Sequence, residues 1–319
     1  MTGQVAGRVL VVGDANVDLV LSGDVVPRFG QAEQLLDAAA LVLGGSASIA
    51  AHGLARLGVP TSIVAVVGDD EFGRFQVGEL AAAGVDTSNV RVDVSTPTGI
   101  SVHLAVPSDR AILTLLGTIP LLTAQDVLGA VERSACTHVH FASYFLLPAL
   151  AGALPELLRG LRSRGITTSL DTNWDPAERW AGVAEVLRVV DVLLPNEAEL
   201  IALGAAGRVS GGSRTADPAA TAAAIAALGP RVVVKAGADG GWSVGQDGDV
   251  VGAAGIQVDV VDTTGAGDSF DAGYLAALVS GVTDEAVRLR WATVAGSLSV
   301  RSAGGTAGQA TRAELLAAL

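Results

Sequence analysis

The chain is short of cysteine, of aromatic residues and of positive charge, and each shortage excludes something. One cysteine in 319 residues, Cys136, leaves no partner for an internal disulfide and fits a reducing, cytoplasmic compartment. Aromatic residues make up 4% of the chain, too few for a stacking platform on single-stranded nucleic acid. Twenty basic residues stand against 33 acidic ones, a formal net charge of −13, so the basic footprint of a nucleic-acid binder is missing. A nucleotide is still allowed, because amides, one lysine and a divalent cation can meet its phosphates locally. No run reaches the roughly 18 apolar residues of a membrane span. The opening "MTGQVAGRVLVVGDANVDLV" lacks a charged n-region and is broken by Asp14, so no signal peptide is expected.

What is present points to a folded α/β body. Half of the residues are hydrophobic and 17% are charged, outside the range of a disordered chain. "RVLVVG" (8–13), "TSIVAVVG" (61–68), "THVHFAS" (137–143), "ITTSLDTN" (166–173), "VDVLLPN" (190–196) and "RVVVKAG" (231–237) read as buried strands. Helical stretches are expected over 46–58, 70–84, 148–164, 178–189, 196–204 and 215–228. Strands alternating with helices imply right-handed βαβ crossovers and a mostly parallel sheet. Two segments, about 19–43 and 89–116, carry consecutive strand patterns without a helix between them. They predict a small β-sheet beside the body, serving as a cover over a site or as a dimer interface. No linker or repeat divides the chain, so residues 1–319 are read as one domain.

The densest signal is "DTTGAGDSFDAGYL" (262–275), placed between the strand-like "IQVDVVD" and a helical run. Gly265 and Gly267 let backbone N–H groups converge without a Cβ in the way, and the following helix adds its positive end. With Ala266 they form an anion hole suited to charge that develops during phosphoryl or acyl transfer. Asp268, in the first helical turn, is either a base beside that hole or a carboxylate that satisfies orphan amides. Elsewhere, Asn16 and Asp18 are spaced to face one side of an extended chain and could bind vicinal hydroxyls. Gly44 and Gly45 open a helix and permit close approach of a ligand. Asn196 would cap a helix whose first turn carries Glu197 and Glu199. Two tempting patterns lead nowhere. "GDDEFGR" (68–74) lacks the Lys-Ser/Thr of a P-loop, and "HVH" (138–140) has no third ligand for a metal. No G-x-S-x-G elbow supplies a serine nucleophile, and the first βα unit lacks the G-x-G-x-x-G of a dinucleotide-dependent oxidoreductase.

"DTTGAGDSFDAGYL" closely resembles the C-terminal signature of the ribokinase-like, or PfkB-type, carbohydrate kinases. "VVGDANVDLVL" (11–21), "GGSASIAAHGLARLG" (44–58), "VVGDDEFG" (66–73), "TGISV" (98–102), "DTN" (171–173), "NEAEL" (196–200) and "VVVKAGADGG" (232–241) follow in that family's order, so the resemblance spans nearly the whole chain. It implies a three-layer α/β/α fold with a central, mostly parallel sheet and a small β-sheet lid. It also implies transfer of the ATP γ-phosphoryl to a hydroxyl of a sugar or sugar acid. Asp268 would be the base and Gly265, Ala266 and Gly267 the anion hole. Asn16, Asp18, Gly44 and Gly45 would bind the acceptor; Asn196, Lys235 and Gly237 would serve the nucleotide. Glu199 would organise Mg²⁺ through water, and Asp262 would support a monovalent cation such as K⁺. Lid-mediated homodimers occur among relatives. The family commonly carries an asparagine where this chain has Ile49, which implies an acceptor with fewer hydroxyls to satisfy. Arg110, on a lid strand, is placed to meet an anionic substrate or to stand in solvent. Two alternatives stay open at this stage: a nucleoside kinase of the same fold, with Ile49 and Phe29 near the acceptor, and a non-catalytic sugar- or nucleotide-binding regulator.

Overall fold

The computed structural model describes residues 7–30, 33–106, 109–206 and 217–319, with the side chains of 105–110 outside that description. Short apolar runs become strands buried on both faces. β1 (Val9–Val12) and β4 (Thr61–Val64) are buried throughout, as are β9 (His138–Phe141) and β11 (Val192–Leu193). β10 (Thr167–Leu170) and β12 (Arg231–Lys235) complete a parallel set in the order β12-β11-β10-β9-β1-β4. An antiparallel hairpin, β13 (Gly241–Val244) and β14 (Val250–Ala253), extends the sheet beyond β12 to eight strands.

Helices cover both faces. α1 (Ser46–Arg56), α9 (Ala266–Val279) and α10 (Glu285–Ser299) pack on one apolar cluster that includes Val9, Val11, Ile63 and Val233. α3 (Ala124–Ser134), α5 (Leu154–Ser163), α7 (Glu197–Ala205) and α8 (Pro218–Ala226) pack on the other, around Leu10, Val139, Leu193 and Val232. α2 (Glu71–Ala82), the single-turn α4 (Pro148–Ala151) and α6 (Ala184–Leu187), and α11 (Arg312–Ala318) complete the set. Neighbouring residues of β1 thus feed opposite cores, as a parallel strand between two helix layers must. Among the described residues, no helix is long and apolar enough to cross a membrane.

A second, four-stranded sheet stands apart in the order β3-β2-β7-β8, from β2 (Asn16–Gly23), β3 (Leu36–Gly44), β7 (Gly99–Val106) and β8 (Asp109–Leu115). "NVRVDV" lies elsewhere: its β6 (Arg91–Asp93) pairs with β5 (Val66–Gly68) beside the main sheet. Two further expectations need correction. Only 184–187 of the stretch 178–189 is helical, because the Asp175 carboxylate collects the N–H groups of Ala177, Arg179 and Trp180 at 2.7–2.9 Å. That binding winds Glu178 and Trp180 into left-handed backbone, with φ of 52° and 50°. "IQVDVVD" joins no sheet, and its Val260 and Val261 are exposed.

Candidate active site

Parallel strands deliver their polar exit residues to one edge of the sheet, where α/β proteins bind ligands. Asp14 follows β1; its Oδ2 accepts the Ser46 N–H at 3.1 Å and its Oδ1 that of Ala47 at 3.0 Å, capping α1. Burial pushes its carboxyl up, and those amide bonds oppose the rise. Ser143 and Asn173 follow β9 and β10 and are both left-handed, with φ of 58° and 52°. Strain of that kind persists where neighbours over-determine it. Here the Asn173 Oδ1 accepts the Ser143 N–H at 2.7 Å, and its amide donates to the Ser46 hydroxyl at 2.9 Å.

Against this edge comes the start of α9. Gly265 has φ +70°, and a Cβ on it would lie 2.8 Å from the Gly305 backbone and 3.0 Å from Ile49 Cγ2, so only glycine closes the turn. The N-terminus it opens has no side-chain cap. In contrast, Asp70, Thr123, Asn196, Asp217, Asp284 and Thr311 cap α2, α3, α7, α8, α10 and α11 with their side chains. The first-turn amides of α9 lack intrahelical acceptors, apart from a long 3.3 Å bond from Ala266 to the Thr263 carbonyl. Ala266 and Gly267 instead line a cavity of about 740 Å³. Its other walls include Gly237, Ala238, Ile256, Val258, Phe270 and Val300, a largely apolar slot that ends on the uncapped helix start.

Asp268 is buried in that same turn, 8% exposed. Burial first, then the charge of Asp171, pushes its carboxyl up to about 8, with Lys235 opposing and Asp14 adding to the rise. Asp271, one turn further along the helix, and Asp171, beyond β10, bring carboxylate oxygens within 4.8 Å of one another and of Asp268. The cation among them is the ammonium of Lys235, 2.6 Å from Asp171 Oδ2 and 3.3 Å from Asp271 Oδ2. Burial would raise Asp171, but Lys235 outweighs it and holds the group below the usual carboxylate range. Burial keeps Asp271 well above that range against the pull of Lys235.

On the other side of Asp14, the second sheet presents Asn16 and Asp18. The Asn16 amide donates to Asp18 Oδ1 at 3.0 Å, and His103 Nε2 lies 3.4 Å from Asp18 Oδ2. Gly44 and Gly45 are required by these neighbours. A Cβ on Gly44 would overlap the Asp18 carboxylate, and one on Gly45, at φ +86°, would lie 2.8 Å from the Asp14 carbonyl. Asn196 and Glu199 form a reciprocal capping box on α7: Glu199 N–H to Asn196 Oδ1 at 2.9 Å, Asn196 N–H to Glu199 Oε2 at 2.8 Å. Burial and the charge of Asp171 push Glu199 up to about 7. Asp262 accepts the Thr264 N–H and hydroxyl on Oδ1, and the Gly304 N–H on Oδ2 at 2.8 Å, tying together the loops that flank Gly265.

The structure thus lines one cavity with Ala266, Gly267, Lys235 and Gly237, places Gly265 and Asp268 in the same turn as Ala266 and Gly267, and brings Asn16, Asp18, Gly44 and Gly45 to the second sheet. Several expectations fall elsewhere. Ile49 is buried under Gly265 and Gly305 rather than in an open acceptor pocket. Phe29 is fully exposed. Arg110 is on β8, and its side chain lies outside the described residues. His138 and His140 are interior groups bridged by the Ser169 hydroxyl at 2.8 Å, and burial drives them down to about 3 and about 4. Sequence reasoning missed Asp14, Asp171, Asp271 and His103 as members of the site. Asp171 stood in "DTN" at a strand exit, and Asp271 three residues after Asp268 shares its helix face.

Residues 6–312 match the pfkB family of carbohydrate kinases. The ATP-dependent ribose-1-phosphate kinase of Halopiger xanaduensis is 32% identical over 295 residues, 92% of this chain and 91% of the relative. The ribokinase of Bacillus subtilis is 29% identical over 310 residues, 97% of this chain and 98% of the relative. The structure of Arabidopsis thaliana ribokinase complexed with ribose and ATP matches with a TM-score of 0.83 at 26% identity, covering 98% of both chains.

Proposed function

The chain belongs to the pfkB family of carbohydrate kinases, and from that premise we propose how its own residues carry out the reaction. It is an ATP-dependent sugar kinase, a phosphotransferase with a hydroxyl acceptor. The observation that carries the site assignment is the uncapped start of α9, open to the cavity, with buried Asp268 in the same turn.

The acceptor hydroxyl gives its proton to the Asp268 carboxylate as its oxygen bonds to the γ-phosphorus and the bond to the ADP oxygen breaks. Charge growing on the transferred group meets the amides of Gly265, Ala266 and Gly267. Positioning and charge stabilisation are most of what this chemistry asks of a protein. Asn16 and Asp18, held at 3.0 Å with one amide and one carboxylate, suit a pair of sugar hydroxyls, and Gly44 and Gly45 let the acceptor approach the backbone. The apolar walls of the cavity suit the base of the nucleotide, with Gly237 at its rim. Glu199 and Asn196 offer the oxygen donors that Mg²⁺ prefers, and bound Mg²⁺ would neutralise phosphate charge. Asp262, joining the loops beside the anion hole, is the candidate support for K⁺.

The four-stranded sheet is read as the lid over the acceptor, since Asn16 and Asp18 begin its strand β2. Exposed apolar residues on it, Leu36, Leu41, Ile112, Leu113 and Leu115, support a lid-mediated homodimer. The single cysteine and the acidic surface suit the cytoplasm.

The test is ADP release with Mg-ATP across pentoses, hexoses, sugar acids and nucleosides, with D268N beside wild type. One acceptor giving fast turnover that D268N loses is the expected result. Equal turnover by the two proteins would remove Asp268 from the chemistry, and turnover with nucleosides alone would move the acceptor class.

A further inference from the structure

Lys235 is the only lysine in the chain, and it is spent inside the protein. Its side chain is 10% exposed, and its two ion-pair partners, Asp171 and Asp271, are 2% and 1% exposed. Its position is fixed at the end of β12, where its N–H bonds the Pro195 carbonyl at 2.9 Å. Its stem passes under the anion hole: a Cβ placed on Gly267 would lie 3.5 Å from Lys235 Cδ and 3.7 Å from Nζ. The ammonium therefore sits behind the turn that carries Asp268.

The groups sharing that interior come from five elements. Asp14 arrives from β1, Asp171 from the exit of β10, Glu199 from α7, and Asp268 and Asp271 from α9. His140 of β9 is neutral, driven down to about 4 by burial. The carboxyl groups of Asp171, Asp271, Glu199 and Asp268 thus act on one permanent cation, and Asp14 acts on Asp268. Buried charges without a partner are costly, and in a dry interior one charge acts strongly on its neighbours. A surface lysine reaching for phosphate would need none of this clamping.

We propose that Lys235 is a positioning residue for the transfer: its ammonium clamps Asp171 and Asp271 behind Asp268 and supplies the positive charge that favours the carboxylate over the acid form of Asp268. The proposal rests on Asp268 being the base. It gives Asp171 and Asp271 a shared task as the anchors of that cation. It also assigns Lys235, which lines the cavity, a role exerted through carboxylates beside any contact with the nucleotide.

The acidic limb of kcat/KM against pH reports the base in the free enzyme, so it reads this role and a merely structural one would leave it in place. The assay uses the full chain with the acceptor found in the panel. It compares wild type with K235M, K235R, D171N, K235M/D171N and D268N. Removing the cation should move the limb of K235M upward by about one unit, a roughly tenfold loss at pH 7 that is regained near pH 9.5. K235R should keep the wild-type limb. D171N, which removes a negative charge, should move it downward, and K235M/D171N should return it toward wild type. A K235M limb within about 0.3 unit of wild type, or a D171N limb displaced upward, overturns the proposal. Full turnover by D268N would instead overturn the assignment of the base.

Discussion

Replacing Asp268 with Asn should make the protein more stable while it loses its activity, and the gain should depend on pH. The carboxyl is lifted from an ordinary 3.8 to about 8, mainly by burial. That rise, at about 1.36 kcal/mol per tenfold, sets an upper bound of about 5–6 kcal/mol. Asp171, Asp271 and Glu199 take up part of any change in charge, so about 2–3 kcal/mol is the working expectation. A carboxyl whose pKa rises on folding favours the native state while it is protonated. That advantage is complete below the unfolded value near 4 and is lost as pH climbs through the folded value near 8. Wild-type stability should therefore fall from about pH 4 to pH 8, and D268N, which has no proton to lose there, should escape that part of the fall. By calorimetry from pH 4 to 9, the two Tm values should coincide near pH 4. They should diverge by about 3–5 °C, D268N higher, at pH 8 and above. Phosphoryl transfer should drop by about 10²–10⁴ in the same protein. A Tm difference that ignores pH, or a D268N protein less stable than wild type at pH 8, would refute the reasoning.

Gly265→Ala forces a Cβ against the Gly305 backbone at φ +70°; it should cost about 1–3 kcal/mol in thermal unfolding and lower kcat by about 10²–10³ through the distorted anion hole. Gly44→Ala pushes into the Asp18 carboxylate, so steady-state kinetics should show KM for the acceptor raised about tenfold or more, with KM for ATP little changed. Glu199→Gln should raise the Mg²⁺ concentration for half-maximal activity several-fold in a metal titration, in keeping with a carboxylate that organises the ion through water. Leu113→Asp, on an exposed position of β8, should convert a dimer to monomer in sedimentation velocity; a wild-type chain already monomeric at high concentration would remove the lid-mediated interface.

The fold was legible wherever burial is symmetric. β1 and β12 are continuous apolar runs because helices cover both faces, and such runs are readable without neighbours. "IQVDVVD" misled for the converse reason: Ile256, Val258 and Val260 alternate as in a strand, yet they line the cavity wall without a partner strand. The stretch 178–189 misled because one side chain, Asp175, decides its backbone by collecting three amides. In the site, the glycine turn before α9 was legible, since the reason for Gly265 is a backbone turn at φ +70°. Asp171 was not, because its meaning depends on Lys235, 64 residues away. Gly44 read as room for a ligand to approach, whereas the group that meets a Cβ there is the Asp18 side chain on the adjacent strand. Lys235 was readable as a strand-end lysine, but its two buried partners appear only in three dimensions.

The central claim is that Asp268 takes the acceptor's proton during transfer at the α9 N-terminus. The most direct measurement is kcat/KM for sugar phosphorylation from pH 5.5 to 9.5, for wild type and D268N side by side. Wild type should show a one-proton acidic limb near 8. D268N should be at least about a hundredfold slower and lack that limb. A wild-type profile flat across that range, or a D268N protein that keeps both the rate and the limb, would contradict it.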